Sequence, residues 1–268
     1  CAAGTSSDNS SFIIWQLNSP MASFSSLLFW RKKPPKVAVV RLSGVIVAET
    51  GPLRRGLNLN QIESQLKRAF TIPSVKAVTL VINSPGGSPV QSQLIAARIR
   101  QLATRHNVPV LAFCEDVAAS GGYWLAAAAD EIYANSASVI GSIGVISSGF
   151  GFPEALKRLG VERRVYTSGL SKSMLDPFSE EKDSDVAHLS ALQSDIHQLF
   201  IDYVKSRRGT RLSGADEELF SGKFWTGNQA KSFGLVDGVG LFHDVLESRF
   251  GADVKIITLS QRTSWRSV

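Results

Sequence analysis

The chain has 268 residues, 44% of them hydrophobic, which is enough to bury the core of one large α/β domain. Its 29 basic and 23 acidic residues leave a formal charge of +6, but apart from Arg31-Lys32-Lys33 the basic residues are scattered. That pattern argues against a nucleic-acid partner and leaves only a mild attraction to an anionic membrane surface. The two cysteines, Cys1 and Cys114, provide neither a disulfide framework nor a metal-ligand spacing, and Cys114 reads as a small core residue in an apolar strand.

Residues 1–36 read as an N-terminal tail. It is Ser-rich, with apolar pieces at Phe12–Leu17 and Phe24–Trp30 and then Arg31-Lys32-Lys33-Pro34-Pro35. Neither piece reaches the roughly 20 apolar residues of a spanning helix, and apolar followed by basic reverses the order of a secretory signal peptide. Residues 24–33 have the composition of a segment that can lie on a membrane surface, against the alternative of a disordered or partner-packed tail. Met21 is a candidate internal start, which would make residues 1–20 a non-native extension. The compartment stays open on these grounds.

From residue 37 to 268 a single domain is expected. Val37–Leu42 reads as a strand, and Leu59, Ile62, Leu66 and Phe70 have helical spacing within 57–70. Val75–Ile82 is a nearly continuous apolar run, as in a buried parallel strand, ending at Asn83-Ser84-Pro85-Gly86-Gly87. A helix over 89–106 places Leu94, Ile95, Ile99 and Leu102 on one face, and the apolar run Val110–Phe113 comes next. These are βα units in series, with glycine-rich turns at the carboxyl ends of the strands, where open α/β sheets place ligands.

After that third unit, Glu131–Ala134 reads as a short strand, Val139–Ile146 is glycine-rich enough to imply a close backbone approach, and 152–159 reads as a helix. Val161–Tyr166 reads as a strand, 167–178 as a polar loop, and 180–208 as a long helix with Leu189, Leu192, Ile196, Leu199, Phe200 and Val204 along one side. Short helices over 216–220, 227–233 and 241–250 and a last strand over 254–259 complete the chain.

Within the third unit, Ala118-Ala119-Ser120-Gly121-Gly122-Tyr123 joins a strand to a helix start. A hydroxyl there is presented at the end of a sheet among small residues, where unpaired N–H groups favour developing negative charge. The alternative is a simple helix cap, for which Ser is a preferred residue, and the turn alone does not choose between them. Glu115 and Asp116 read as loop carboxylates able to meet a partner. His106, His188, His197 and His243 stand in polar or helical stretches and read as surface residues without a metal motif.

Read together, Asn83–Gly87, Ala118–Tyr123, Gly141-Ser142-Ile143-Gly144-Val145, the Ser168-Gly169 loop followed by Lys172, Trp225-Thr226-Gly227 and Gly234-Leu235-Val236-Asp237 resemble the signal peptide peptidase A family, the S49 serine peptidases, in the short single-domain form. The resemblance covers about 37–259. It implies an α/β fold of the Clp protease/crotonase type, built of repeated β-β-α units with additional C-terminal helices. By the same resemblance Ser120 is the nucleophile, Lys172 the general base, Gly87 and Gly121 the oxyanion-hole donors with Gly86 as the fallback, and Ser142 the residue orienting the lysine.

A lysine serves as base only when its amine is largely neutral, and Leu170, Met174, Leu175 and Phe178 offer apolar surroundings for that. The implied reaction is metal-free and cofactor-free hydrolysis of short hydrophobic peptides, such as leftover signal peptides or membrane-protein fragments, by a homo-oligomer. Two other readings stand beside it: a crotonase-like acyl-CoA enzyme using the same oxyanion hole, and a non-catalytic scaffold in a membrane complex. The first requires a catalytic carboxylate pair that the sequence does not offer, and intact motifs argue against the second.

Overall fold

The computed structural model describes residues 33–49, 56–169 and 171–260. Two units are distinguished, Cys1–Lys33 and Pro34–Val268, and the second contains every element of the fold. The expectations for segment 24–33, for residues 1–20 and for Leu170 fall outside the described residues.

The centre of the unit is a sheet in the order β6-β5-β3-β2-β1-β8, with β4 paired to β3 and β7 paired to β4. Its strands are β1 (Lys36–Ser43), β2 (Val75–Ser84), β3 (Val110–Ala119), β4 (Glu131–Ala134), β5 (Val139–Gly141), β6 (Phe224–Thr226), β7 (Gly238–Val239) and β8 (Lys255–Leu259). Every pairing is parallel except β5 with β6. Parallel strands covered on both faces must be apolar on both, which is why β2 is buried almost throughout.

Helix α1 (Leu59–Phe70) starts where Asn58 Oδ1 accepts the Gln61 amide, and it buries Ile62, Leu66, Ala69 and Phe70. Helix α2 (Pro89–His106) starts on Ser88 with Pro89 in its first turn, and stops at Asn107, whose left-handed φ of 51° ends the helix. Its packed face is Ile95, Ala96, Ile99 and Leu102, while Leu94 is exposed, correcting the expected stripe. Burying such a side chain contributes about 1.5–3 kcal/mol. The segments ahead of α1 and α2 meet in single bridges, Ile46 with Leu57 and Ile46 with Gly87, so the second strand of each β-β-α unit is reduced to a residue or two.

Helix α3 (Gly121–Ala126) is buried along its whole length. Its Tyr123 hydroxyl donates to the Leu235 carbonyl, and Arg207 donates to the carbonyls of Ala127 and Ala129 just beyond its end. The long helix is α5 (Asp183–Arg208); only Phe200, Val204 and Arg208 of it are buried, and Leu192 and Leu199, two of the six residues of the expected stripe, are exposed among the described residues. Arg208, 2% exposed, bonds both Asp237 oxygens and the Gly234 carbonyl, which satisfies a charge that would otherwise be costly to bury. Helices α6 (Asp216–Leu219), α7 (Gly227–Ser232, with a capping box of Thr226 and Gln229) and α8 (Phe242–Phe250) complete the C-terminal part.

Between β5 and α5 the chain forms an arm carrying only the short helix α4 (Pro153–Arg158). The strand expected at 161–166 is absent. Its apolar side chains lie open, Tyr166 at 90% exposure, and among the described residues the segment pairs with no strand. The arm is held by a small cluster of its own, in which Phe152 packs between Phe150 and Phe178, Arg163 lies over Phe178, and the Phe152 amide donates to the Pro177 carbonyl at 2.6 Å.

Candidate active site

Ser120 stands where β3 becomes α3, with φ 52° and ψ −123°. A non-glycine residue in that conformation costs about 1–3 kcal/mol and persists only where the surroundings enforce it. The enforcement is visible on both sides. The Ser120 amide donates to the Gly141 carbonyl at 2.8 Å, locking the turn to β5, and the Ser120 carbonyl accepts the amides of Tyr123 and Trp124 at 2.9 and 3.0 Å. Ser120 occupies the capping position of α3, yet its hydroxyl makes no capping hydrogen bond. The backbone does the work of the cap, leaving the half-buried hydroxyl uncommitted.

Gly86 and Gly87 press against this turn from the end of β2. A Cβ on Gly86, at φ 98°, would sit 2.7 Å from the Gly121 nitrogen and 2.8 Å from Ser120 Cβ; one on Gly87, at φ 141°, would sit 2.0 Å from the Ile46 carbonyl oxygen. Both positions therefore need glycine. Among the described residues the amides of Gly87 and Gly121 donate no hydrogen bond, whereas that of Gly86 is held by Ser84 Oγ at 3.2 Å. Gly87, Ser120 and Gly121 line one hollow of about 20 Å³ with Pro89, Trp124, Gly144, Val145, Ile196 and Phe200, room for about one water. Trp124 stacks on Phe200 with ring centres 4.5 Å apart, and its buried indole N–H has no partner among the described residues.

Ser142, one residue beyond β5, also has a positive φ, 53°, and its amide donates to the Lys223 carbonyl at 2.6 Å. The close approach expected of the glycine-rich stretch is to Trp225, whose ring would lie 2.7 Å from a Cβ on Gly141. Lys172 is not with the others. It is exposed on a turn of the arm, its amide donates to the Gly169 carbonyl at 3.3 Å, and it does not line the Ser120 hollow. Of the residues expected to surround its amine, Leu175 and Phe178 are themselves exposed and Met174 is half-buried. The structure thus brings Ser120, Gly87 and Gly121 together and leaves Lys172 on the arm.

Three further groups depart from, or bear on, the expectations. His197 is half-buried on α5 and bonds the Ile143 carbonyl at 3.0 Å, next to Ser142. Its spacing of three residues from Phe200 is the signal that it shares the packed face. Asp116 and Glu115 belong to β3, not to a loop, and bond Asn83 and Arg41. Cys114 is buried as expected, and burial pushes its thiol up to about 12, so it is a core group and not a nucleophile. Among the described residues no cluster of His, Cys, Asp and Glu has the arrangement of a metal site.

The model of peptidase family S49 matches residues 103–253, which include the Ser120 turn, the β5 segment and the arm. The chain belongs to peptidase family S49. A chloroplastic serine protease SPPA of Arabidopsis thaliana is 31% identical to this S49 chain over 209 residues, 76% of the chain and 30% of that protein. A Brucella abortus protein named Na(+)/H(+) antiporter NhaA is 51% identical over 227 residues, 85% of the chain but 31% of that protein. The chain therefore spans about a third of each of these relatives. Among solved structures, a mutant of the 1510-N membrane-bound stomatin-specific protease superposes with a TM-score of 0.53 at 18% identity, covering 85% of this chain and 99% of that one. The fold is thus the Clp protease/crotonase-like α/β fold.

Proposed function

We propose that residues 37–268 form a serine peptidase domain that cleaves short hydrophobic peptides through an acyl-enzyme on Ser120. The observation that carries this reading is the Ser120 turn itself: a strained backbone with a free hydroxyl, flanked by the two undonated amides of Gly87 and Gly121. Attack by Ser120 Oγ on a peptide carbonyl forms the C–O bond, and the developing oxyanion falls to the Gly87 and Gly121 N–H groups. Lys172 Nζ takes the hydroxyl proton and returns it to the amine leaving as the C–N bond breaks; water then repeats the sequence and releases the acid. For this step the arm must fold back to bring Lys172, which lies outside the Ser120 hollow here, beside Ser120, where Ser142 holds the lysine in line.

The arm gives this reading its second requirement. Ile146 is 87%, Phe150 81% and Tyr166 90% exposed, an apolar surface of the kind that marks a protein contact. In a homo-oligomer a neighbouring copy covers that surface and with it the Lys172 turn, which supplies the desolvation a neutral lysine needs. No helix among the described residues is long and apolar enough to cross a membrane. A serine-directed fluorophosphonate tests the proposal: labelling is expected on Ser120, absent in Ser120→Ala and slowed in Lys172→Ala. Labelling that neither substitution changes overturns it, as does a wild-type chain that takes no label, and the second outcome favours the scaffold reading.

A further inference from the structure

Strands β2 and β3 run in register up to Ile82 opposite Cys114, and are next in register at Ser84 opposite Ala118. Across that gap Asn83 alone on β2 faces Glu115, Asp116 and Val117 on β3. The gap is also where β3 changes neighbours, since Leu111–Cys114 pair with β4 and Val117–Ala119 pair with β5. A bulge of this kind re-aims the strand beyond it and leaves ladder groups to be satisfied otherwise.

The Asn83 side chain supplies what the ladder lacks. Its Oδ1 accepts the Val117 amide at 3.3 Å, its Nδ2 donates to Asp116 Oδ2 at 2.5 Å, and its own carbonyl accepts the Gly44 amide at 2.9 Å. From the other side Ser138 Oγ donates to the Cys114 and Glu115 carbonyls. A carboxamide is the side chain that offers an acceptor to the amide and a donor to the carboxylate together. Four residues past Asn83 lies Gly87; four past Asp116 lies Ser120.

We propose that the Asn83–Asp116 pair is a positioning clamp that sets the Ser120 hydroxyl against the Gly87 and Gly121 amides; the inference rests on the serine-peptidase reading of that site. The clamp touches no reacting atom. It acts by fixing the spread of two short chain ends whose tips must agree to a fraction of an ångström. Both side chains face a cavity of about 890 Å³ on the side of the sheet that carries α8, so trimming either leaves no sealed void.

The test uses the full chain and measures the rate of fluorophosphonate labelling, kcat and KM on a hydrophobic peptide, and the urea midpoint. Asn83→Ala and Asp116→Ala are expected to slow labelling and lower kcat about 100-fold, with KM and the midpoint close to the wild type, as for a misplaced reacting group. Asn83→Asp alone sets two carboxylates against each other and is equally slow. The exchange Asn83→Asp with Asp116→Asn restores one acceptor for Val117 and one donor across the pair, and returns the rate to within about tenfold of the wild type.

Wild-type rates in both alanine variants overturn the clamp, as does a folded exchange variant no faster than Asn83→Asp. Should Asn83→Ala fail to fold, Asp116→Ala and the exchange decide the matter. A wild-type chain that the probe does not label on Ser120 overturns the peptidase reading itself, and the clamp with it.

Discussion

The Ser120 turn and the Lys172 turn carry the two halves of one proposed reaction and are built in opposite ways. Ser120 is held by the backbone of β5, by α3 and by glycines packed below 3 Å of where a Cβ would be. Lys172 lies on an exposed arm whose internal support, among the described residues, is an aromatic cluster and the Arg163–Asp176 pair. A nucleophile and its oxyanion donors can be placed by one chain's core, because strain at Ser120 needs a rigid frame. A lysine base needs burial more than rigidity, and burial can come from a neighbour.

The largest effect expected is on the rigid half. Ser120→Ala is expected to lower peptide hydrolysis by at least about 10⁴-fold with the fold intact, measured by turnover and by circular dichroism. On the exposed half, by contrast, Lys172→Ala is expected to cost about 10²–10⁴-fold in turnover yet move the unfolding free energy by less than about 0.5 kcal/mol, since the side chain is exposed. If the lysine is desolvated by a neighbouring copy, labelling per chain falls on dilution below the assembly concentration, in step with sedimentation. Constant labelling across that range would mean that the two turns do not differ in their need for a neighbour.

The glycines give the next largest effect. Gly86→Ala forces a Cβ onto the Gly121 nitrogen at 2.7 Å and holds alanine at φ 98°, and is expected to destabilise by about 3 kcal/mol or more in urea. Gly149→Ala on the arm meets nothing within 4 Å and is expected to change stability by less than about 0.5 kcal/mol.

The smallest effect is a pH dependence confined to the frame. Burial alone would raise the Asp237 carboxyl, but the Arg208 hydrogen bonds, the Ile132 amide and the Arg208 and Arg211 charges outweigh it and hold the group below the usual carboxylate range. Stability from this carboxylate is therefore present above the ordinary aspartate pKa of about 3.9 and lost as pH falls through the lower folded value. Urea midpoints are expected to drop below about pH 4, and Arg208→Met to flatten that part of the profile.

Much of the frame was legible in the residues. The nearly unbroken apolar runs of β2 and β3, the helical spacing of Leu59, Ile62, Leu66 and Phe70 and the stop at Asn107 are local signals that the tertiary structure follows. So was the Ser120 turn, because small residues and Gly-Gly directly after an apolar strand mark a sharp passage from strand to helix. Local signals misled where a partner was missing. Val161–Tyr166 has a strand's composition but joins no ladder, and Leu192 and Leu199 complete a helical stripe that none of the described residues covers. His197 reads as a surface residue because its chain neighbours are polar, although its face of α5 is not.

Residue type and spacing along the chain are enough to set the order of the β-β-α units, the glycines that permit close approach at the Ser120 turn and membership of the S49 family. Folding in three dimensions was needed to establish that the Ser120 hydroxyl is not used as a cap, that Asn83 bridges the β3 bulge, and that Lys172 lies outside the Ser120 hollow. Those facts depend on which backbone groups meet across the sheet and which surfaces the chain leaves uncovered, and neither is a local property of the residues concerned.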